Sequence, residues 1–152
     1  MDLQDCLNQY YYTLTVSDLR QIHRSGGGNL SYNSIMYLDV ISYQQSQGGC
    51  TVSSLASTLR VSKAAVTLKI NDLEKLGLVV RSRDGADRRV VHLRVSEAVA
   101  DALRVYDRPL ERAVRLVQEQ FSDAEIGTFC RILQVFSAEF EKEEPSQPGG
   151  SA

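Results

Sequence analysis

The sequence predicts a mainly helical chain with one small β-hairpin, an α+β arrangement. Three observations predict it. Apolar residues recur at spacings of three and four in six segments, most of them opened by a capping Ser or Thr. One short stretch alternates instead, with Val91, Leu93 and Val95 set against His92 and Arg94. Gly77 separates the fourth helical segment from that stretch, as a left-handed residue after a helix would. Between residues 61 and 95 the order is therefore capped helix, glycine stop, apolar strand, arginine-rich turn and second strand. This is the order of parts in a winged helix-turn-helix core, here with helices on both sides that are expected to dimerise.

In chain order, residues 3–23 carry Leu3, Leu7, Tyr10 and Leu14 on one helical stripe. Ser25-Gly26-Gly27-Gly28-Asn29 breaks the pattern. Ser31 caps a second helix that runs to about Gln45, with Ile35, Leu38, Val40 and Ile41 as its core candidates. Thr51 caps a short helix buried through Leu55, Ala56 and Leu59, and Ser62 caps the next, whose inner stripe is Val66, Ile70 and Leu73. The short link Arg60-Val61-Ser62 between these two helices is a helix-turn-helix signature. Strands are expected over 78–83 and 89–95, closed by the turn Asp84-Gly85-Ala86-Asp87. Ser96 opens a long helix in which Pro109 should cause a kink or break near 106–109, because proline lacks the amide donor and crowds the preceding turn. Ser122 and Glu125 form a capping box for a last helix carrying Phe129, Leu133, Phe136 and Phe140. The tail 143–152 is polar and is expected to be disordered.

Charge is distributed unevenly. Arg60 and residues 61–95 hold nine Lys/Arg and four acids, a balance of +5, while the rest of the chain stands at −7. An acidic chain that gathers positive charge on one supersecondary unit is expected to bind a polyanion there. No apolar run reaches the roughly 20 residues that span a bilayer, and residues 1–12 do not read as a signal peptide. Cys6, Cys50 and Cys130 are scattered and odd in number, which points to reduced thiols in a cytosol. Cys6 is expected to be inert and partly buried, Cys50 a loop thiol and Cys130 a core-stripe residue. His23 and His92 lie at no metal-ligand spacing, so neither metal nor cofactor is expected. No catalytic constellation is visible, and an enzyme is not expected.

The outward stripe of the helix 62–76 is the candidate reading face: Ser62, Lys63, Ala64, Ala65, Thr67, Leu68, Asn71 and Lys75. Lys63 suits guanine or phosphate, and Asn71 suits adenine. Ala64, Ala65, Leu68 and the Thr67 methyl suit thymine methyls. A leucine opposite the core stripe is unusual unless something covers it. Thr51, Ser53, Lys69, Arg81, Arg83, Arg88 and Arg89 are candidate wing and backbone contacts, with Asp87 pairing Arg89 to hold the turn. The alternative is a winged-helix protein-interaction module with a solvated charged tip. Tyr10, Tyr11, Tyr32, Tyr37 and Asp39 are candidates for a ligand pocket, with interface packing as the plainer reading of the tyrosines.

The run from Leu55 to Val95 resembles the MarR family of bacterial regulators. The residues that carry the resemblance are Leu55-Ala56, Val61-Ser62, Val66-Thr67, Leu73-Glu74-Lys75-Leu76-Gly77-Leu78-Val79, Arg81, Asp84, Asp87-Arg88-Arg89 and the alternation Val91, Leu93, Val95 before Ser96. Two positions depart from the family pattern. Ala98-Val99 follows Val95-Ser96 where a glycine is common, and Leu68 stands where arginine is frequent. The resemblance implies a homodimer that binds double-stranded DNA at a pseudopalindromic operator, most often as a repressor, and is released by a signal such as a small phenolic or aromatic effector. It implies a cytoplasmic, nucleoid-associated protein. The expected organisation is residues 1–24 as an N-terminal dimerisation helix, 30–95 as the DNA-binding winged helix-turn-helix, 96–142 as C-terminal dimerisation helices and 143–152 as the tail. The helical stripes outside the winged helix agree with a dimer, because a core of about 65 residues is too small to cover them.

Overall fold

Ser31, Thr51 and Ser62 cap three successive helices as their positions in the sequence predict, each accepting a hydrogen bond from the backbone N–H three residues on. A computed structural model describes residues 2–24, 30–83 and 87–142 of the chain. Among these the elements are α1 (Leu3–Arg24), α2 (Tyr32–Ser46), α3 (Val52–Leu59), α4 (Lys63–Lys75), β1 (Val79–Ser82), β2 (His92–Val95), α5 (Glu97–Gln120) and α6 (Asp123–Lys142). The mainly helical architecture with a two-stranded hairpin is the expected one. The glycine connector, most of the hairpin turn and the tail 143–152 lie outside the described residues.

The chain divides into two compact units, Met1–Asp107 and Arg108–Ala152. The core of the first joins α2, α3, α4, the hairpin and the start of α5 through Leu38, Ile41, Leu55, Val66, Ile70, Leu73, Val79, Leu93, Val95 and Val99. The predicted inner stripe of α4 is buried in full, whereas Ile35, Val40 and Leu59 are only half-buried. Gly77 follows α4 with φ of +70°, the left-handed conformation that lets the chain turn into β1. β1 and β2 pair antiparallel, with Val79 opposite Val95 and Arg81 opposite Leu93.

Several expectations need correction. β2 begins at His92 rather than Arg89, because the Arg89 and Val90 amides turn back onto Asp87. Of the kink or break expected at Pro109, the break is absent: α5 continues from Glu97 to Gln120. Proline removes the donor that the Val105 carbonyl would use, but Val105 is exposed and water can take that role. Cys50 is not a loop thiol. It is fully buried, bridges Leu93, and its carbonyl accepts the Leu93 amide at 2.7 Å, adding a single bridge on the edge of β2 away from β1. Cys6 and Cys130 are exposed on α1 and α6.

Burial pushes the Cys50 thiol up to about 11, against a smaller opposing hydrogen bond with Ser54. The reactive thiolate is then roughly one part in a thousand at pH 8. Alkylation of the native protein at pH 8, followed by mass spectrometry, is expected to modify Cys6 quickly and Cys50 only after unfolding. Equal rates at the two sites would contradict this placement.

In the second unit, Ser122 caps α6, and its amide and hydroxyl both donate to Glu125 at 2.9 and 2.6 Å. These bonds hold the exposed Glu125 carboxyl below its usual range. No described residue of α6 is buried. Leu110, Val114, Val117, Phe121, Phe129, Leu133 and Phe140 are all exposed.

Candidate nucleic-acid interface

α4 is held by its inner stripe, so its opposite face is presented outward. Lys63, Ala64, Ala65, Leu68 and Lys75 are exposed, and Thr67 is half-exposed at the edge of that face. Leu68 is 68% exposed, more than any other large apolar residue among the described residues of α3, α4 and the hairpin. Ser62 is exposed, but its hydroxyl is engaged in capping α4 at the Ala65 amide, 3.1 Å away. Its polar group thus sets where the helix starts.

α3 is oriented by polar contacts as well as by Leu55 and Ala56. Thr51 and Ser54 form a reciprocal capping box. The Ser54 hydroxyl also donates to Gln44 at 2.7 Å, and the Gln44 amide donates to Thr58 at 3.0 Å, tying α3 to α2. Ser53 faces solvent beside the cap. Gln45 accepts the Val95 amide at 3.2 Å, which ties α2 to the end of β2. A β-carbon at Gly49, where φ is +129°, would lie 3.0 Å from the His92 ring, so this close approach of the α2–α3 connection to the hairpin needs glycine.

The wing residues separate into two groups. Arg83, Arg88 and Arg89 are exposed near the turn, and Arg89 pairs with Asp87 at 3.2 Å as expected. Arg81 is turned toward α4. One guanidinium nitrogen donates to Glu74 at 2.8 Å and the other to Asn71 at 2.7 Å. Two residues expected to touch DNA separately are thus brought onto each other. Lys69 also points elsewhere: its ammonium donates to the buried Ser34 hydroxyl at 2.8 Å and lies 5.8 Å from the centre of the Tyr37 ring, so it braces α4 against α2.

Tyr10, Tyr11 and Tyr32 are exposed, and Tyr37 packs beside Lys69. Asp39 has an exposed surface. Partial burial, then Asp18, then Asp107 raise its carboxyl above the ordinary value. A shallow open depression on α6, lined by Ala124, Glu125, Thr128, Phe129 and Ile132, includes none of these five. No group of three or more His, Cys, Asp or Glu among the described residues could hold a metal. Among those residues no helix is long and apolar enough to cross a membrane.

Residues 30–91, which span α2 through β1 and end just before β2, match the family model described as the MarR family. The transcriptional regulator AdcR of Streptococcus pyogenes is 31% identical over 100 residues, covering 63% of this chain and 67% of that protein. The chain belongs to the MarR family. This is a family of winged-helix transcriptional regulators, not of enzymes. The uncharacterized HTH-type regulator YwhA of Bacillus subtilis is 29% identical over 86 residues, 57% of this chain; the alignment spans 62% of YwhA's own length. The fold extends the likeness along the chain. Streptococcus pneumoniae FabT, solved in complex with DNA, superposes with a TM-score of 0.59 at 26% identity, covering 92% of this chain and 98% of FabT.

Glu74 is the residue of this MarR-family site that the sequence reading missed. It counted as one of four acids in the basic window and as part of the run Leu73–Val79 that carries the resemblance, and nothing local marks it as the partner of Arg81. That pairing depends on how far β1 runs back along α4, which is a tertiary property.

Proposed function

We propose that this MarR-family chain is a sequence-specific DNA-binding regulator that acts as a homodimer on a pseudopalindromic operator, most simply as a repressor. The observation that carries the reading is the outer face of α4. Its small and apolar residues, with Leu68 foremost, stand in water opposite a fully buried stripe. A face of this kind fits the floor of a major groove, where Ala64, Ala65, Leu68 and the Thr67 methyl meet thymine methyls and Lys63 meets guanine or phosphate. Ser53 at the start of α3 and Arg83, Arg88 and Arg89 on the wing are suited to the sugar-phosphate backbone and the minor groove. The basic excess of residues 60–95 supplies the sequence-independent attraction.

Dimerisation follows from the exposed apolar stripes of α1, α5 and α6. Helices that leave so many large apolar side chains in water need a partner surface, and a two-fold partner presents a second α4 to the same face of the duplex. DNA selected from a random pool by the full-length protein is expected to show two half-sites related by two-fold symmetry, with centres about 10 base pairs apart. Enriched sites without symmetry, or no enrichment at low salt, would contradict this reading. The second outcome would favour a protein-interaction module.

A further inference from the structure

We propose that Arg81 is a positioning residue for the reading helix, and that it acts through Asn71 and Glu74 rather than by touching DNA. The inference rests on the DNA-binding reading above and reassigns two residues within it. Arg81 stands on β1, opposite Leu93, and its planar fork spans two positions of α4 one turn apart, 2.7 Å from Asn71 Oδ1 and 2.8 Å from Glu74 Oε2. The clasp takes two of the five guanidinium donors and one lone pair of the Asn71 oxygen, so a phosphate at Arg81 or an adenine edge at Asn71 would compete with it. The connection from α4 to β1 is short and turns at Gly77, so the fork clasps the wing strand to the C-terminal half of α4. Glu74 next to Arg81 also offsets the charge that a phosphate would need. The clasp fixes the angle between wing and helix, and with it the depth at which Thr67 and Leu68 enter the groove. Base reading then falls to the N-terminal half of α4.

The test uses full-length protein, a duplex selected by it, a random duplex, and Arg81→Ala, Arg81→Lys, Asn71→Ala and the double alanine variant. Arg81→Ala and Asn71→Ala are each expected to lower affinity for the selected duplex about threefold to thirtyfold, with random DNA affected less than about twofold. The double variant should lose no more than the worse single one, because both changes open the same clasp. The salt slope should stay at the wild-type value, and Arg81→Lys, which keeps the charge but not the fork, should not restore selectivity. Simple loss of folded protein would instead lower both affinities together.

A salt slope shallower by about one unit per subunit in Arg81→Ala, restored by Arg81→Lys, would overturn the inference and make Arg81 a phosphate contact. Relaxed preference at one base position in Asn71→Ala, with Arg81→Ala reading that position normally, would overturn it by making Asn71 a base reader. Amide exchange in the DNA-free protein separates the clasp from the DNA reading. Exchange in β1 and the second half of α4 should quicken in both single variants, and no change in either would overturn the clasp even if DNA binding stands. Wild-type protein that binds no DNA would overturn the positioning role and the DNA reading together.

Discussion

Replacing Phe129 and Leu133 of α6 with glutamate is expected to give a monomer that has lost nearly all operator affinity. Both side chains are exposed on the protomer, at 55% and 42%, and they lie four residues apart on one face. Burying a side chain of this size is worth about 1.5–3 kcal/mol. Even if only one of the two is fully covered in each protomer, a two-fold interface loses roughly 3–6 kcal/mol, a weakening of about a hundredfold to ten-thousandfold. The added carboxylates increase the loss, because the symmetry brings copies of the same patch together. The first unit keeps its own core, so the variant should remain folded by circular dichroism. Sedimentation equilibrium at micromolar concentration checks the result. A wild-type chain that is already monomeric there would refute the dimer.

Thr67→Ala is expected to cost about 1–3 kcal/mol per half-site on the preferred duplex, and twice that for a dimer, with little effect on random DNA. Thr67 lies half-exposed at the edge of the outer face of α4, and in the proposed docking it would offer a methyl and a hydroxyl to a base edge. Arg88→Ala should behave differently. Arg88 is exposed beside the wing turn, so its removal should weaken both duplexes alike and reduce the salt slope by about one unit for each phosphate no longer neutralised. Competition binding with the two duplexes at several salt concentrations distinguishes the two patterns. Identical losses for both variants on both duplexes would mean that α4 does not read sequence.

Most of the fold was legible because its signals are local. A serine or threonine cap declares the helix it opens, and Ser31, Thr51, Ser62 and Ser122 do so from the sequence alone. The inner stripe of α4 is legible for a similar reason: three apolar residues at helical spacing can have only one face in common. What was not legible depends on distant partners. Lys69 reads as one more cation on a basic helix, but its ammonium is used by Ser34, 35 residues earlier. Arg81, Asn71 and Glu74 read as separate surface residues until the turn at Gly77 folds β1 back along α4. Cys50 reads as a loop residue because the bridge that buries it pairs it with Leu93 in a later element. Pro109 shows the limit of a local rule for the break alone, since α5 continues through it. The ring does remove a donor, but an exposed helix can leave the freed carbonyl to water.

The central claim is that α4 and the wing bind duplex DNA and select among sequences. Its most direct test is the affinity of the full-length protein for a selected and a random duplex, measured from low to physiological salt. Both affinities should fall steeply as salt rises, and the selected duplex should remain tighter by at least about a thousandfold at each concentration. Equal affinity for the two duplexes, or no binding to either at low salt, would contradict the account.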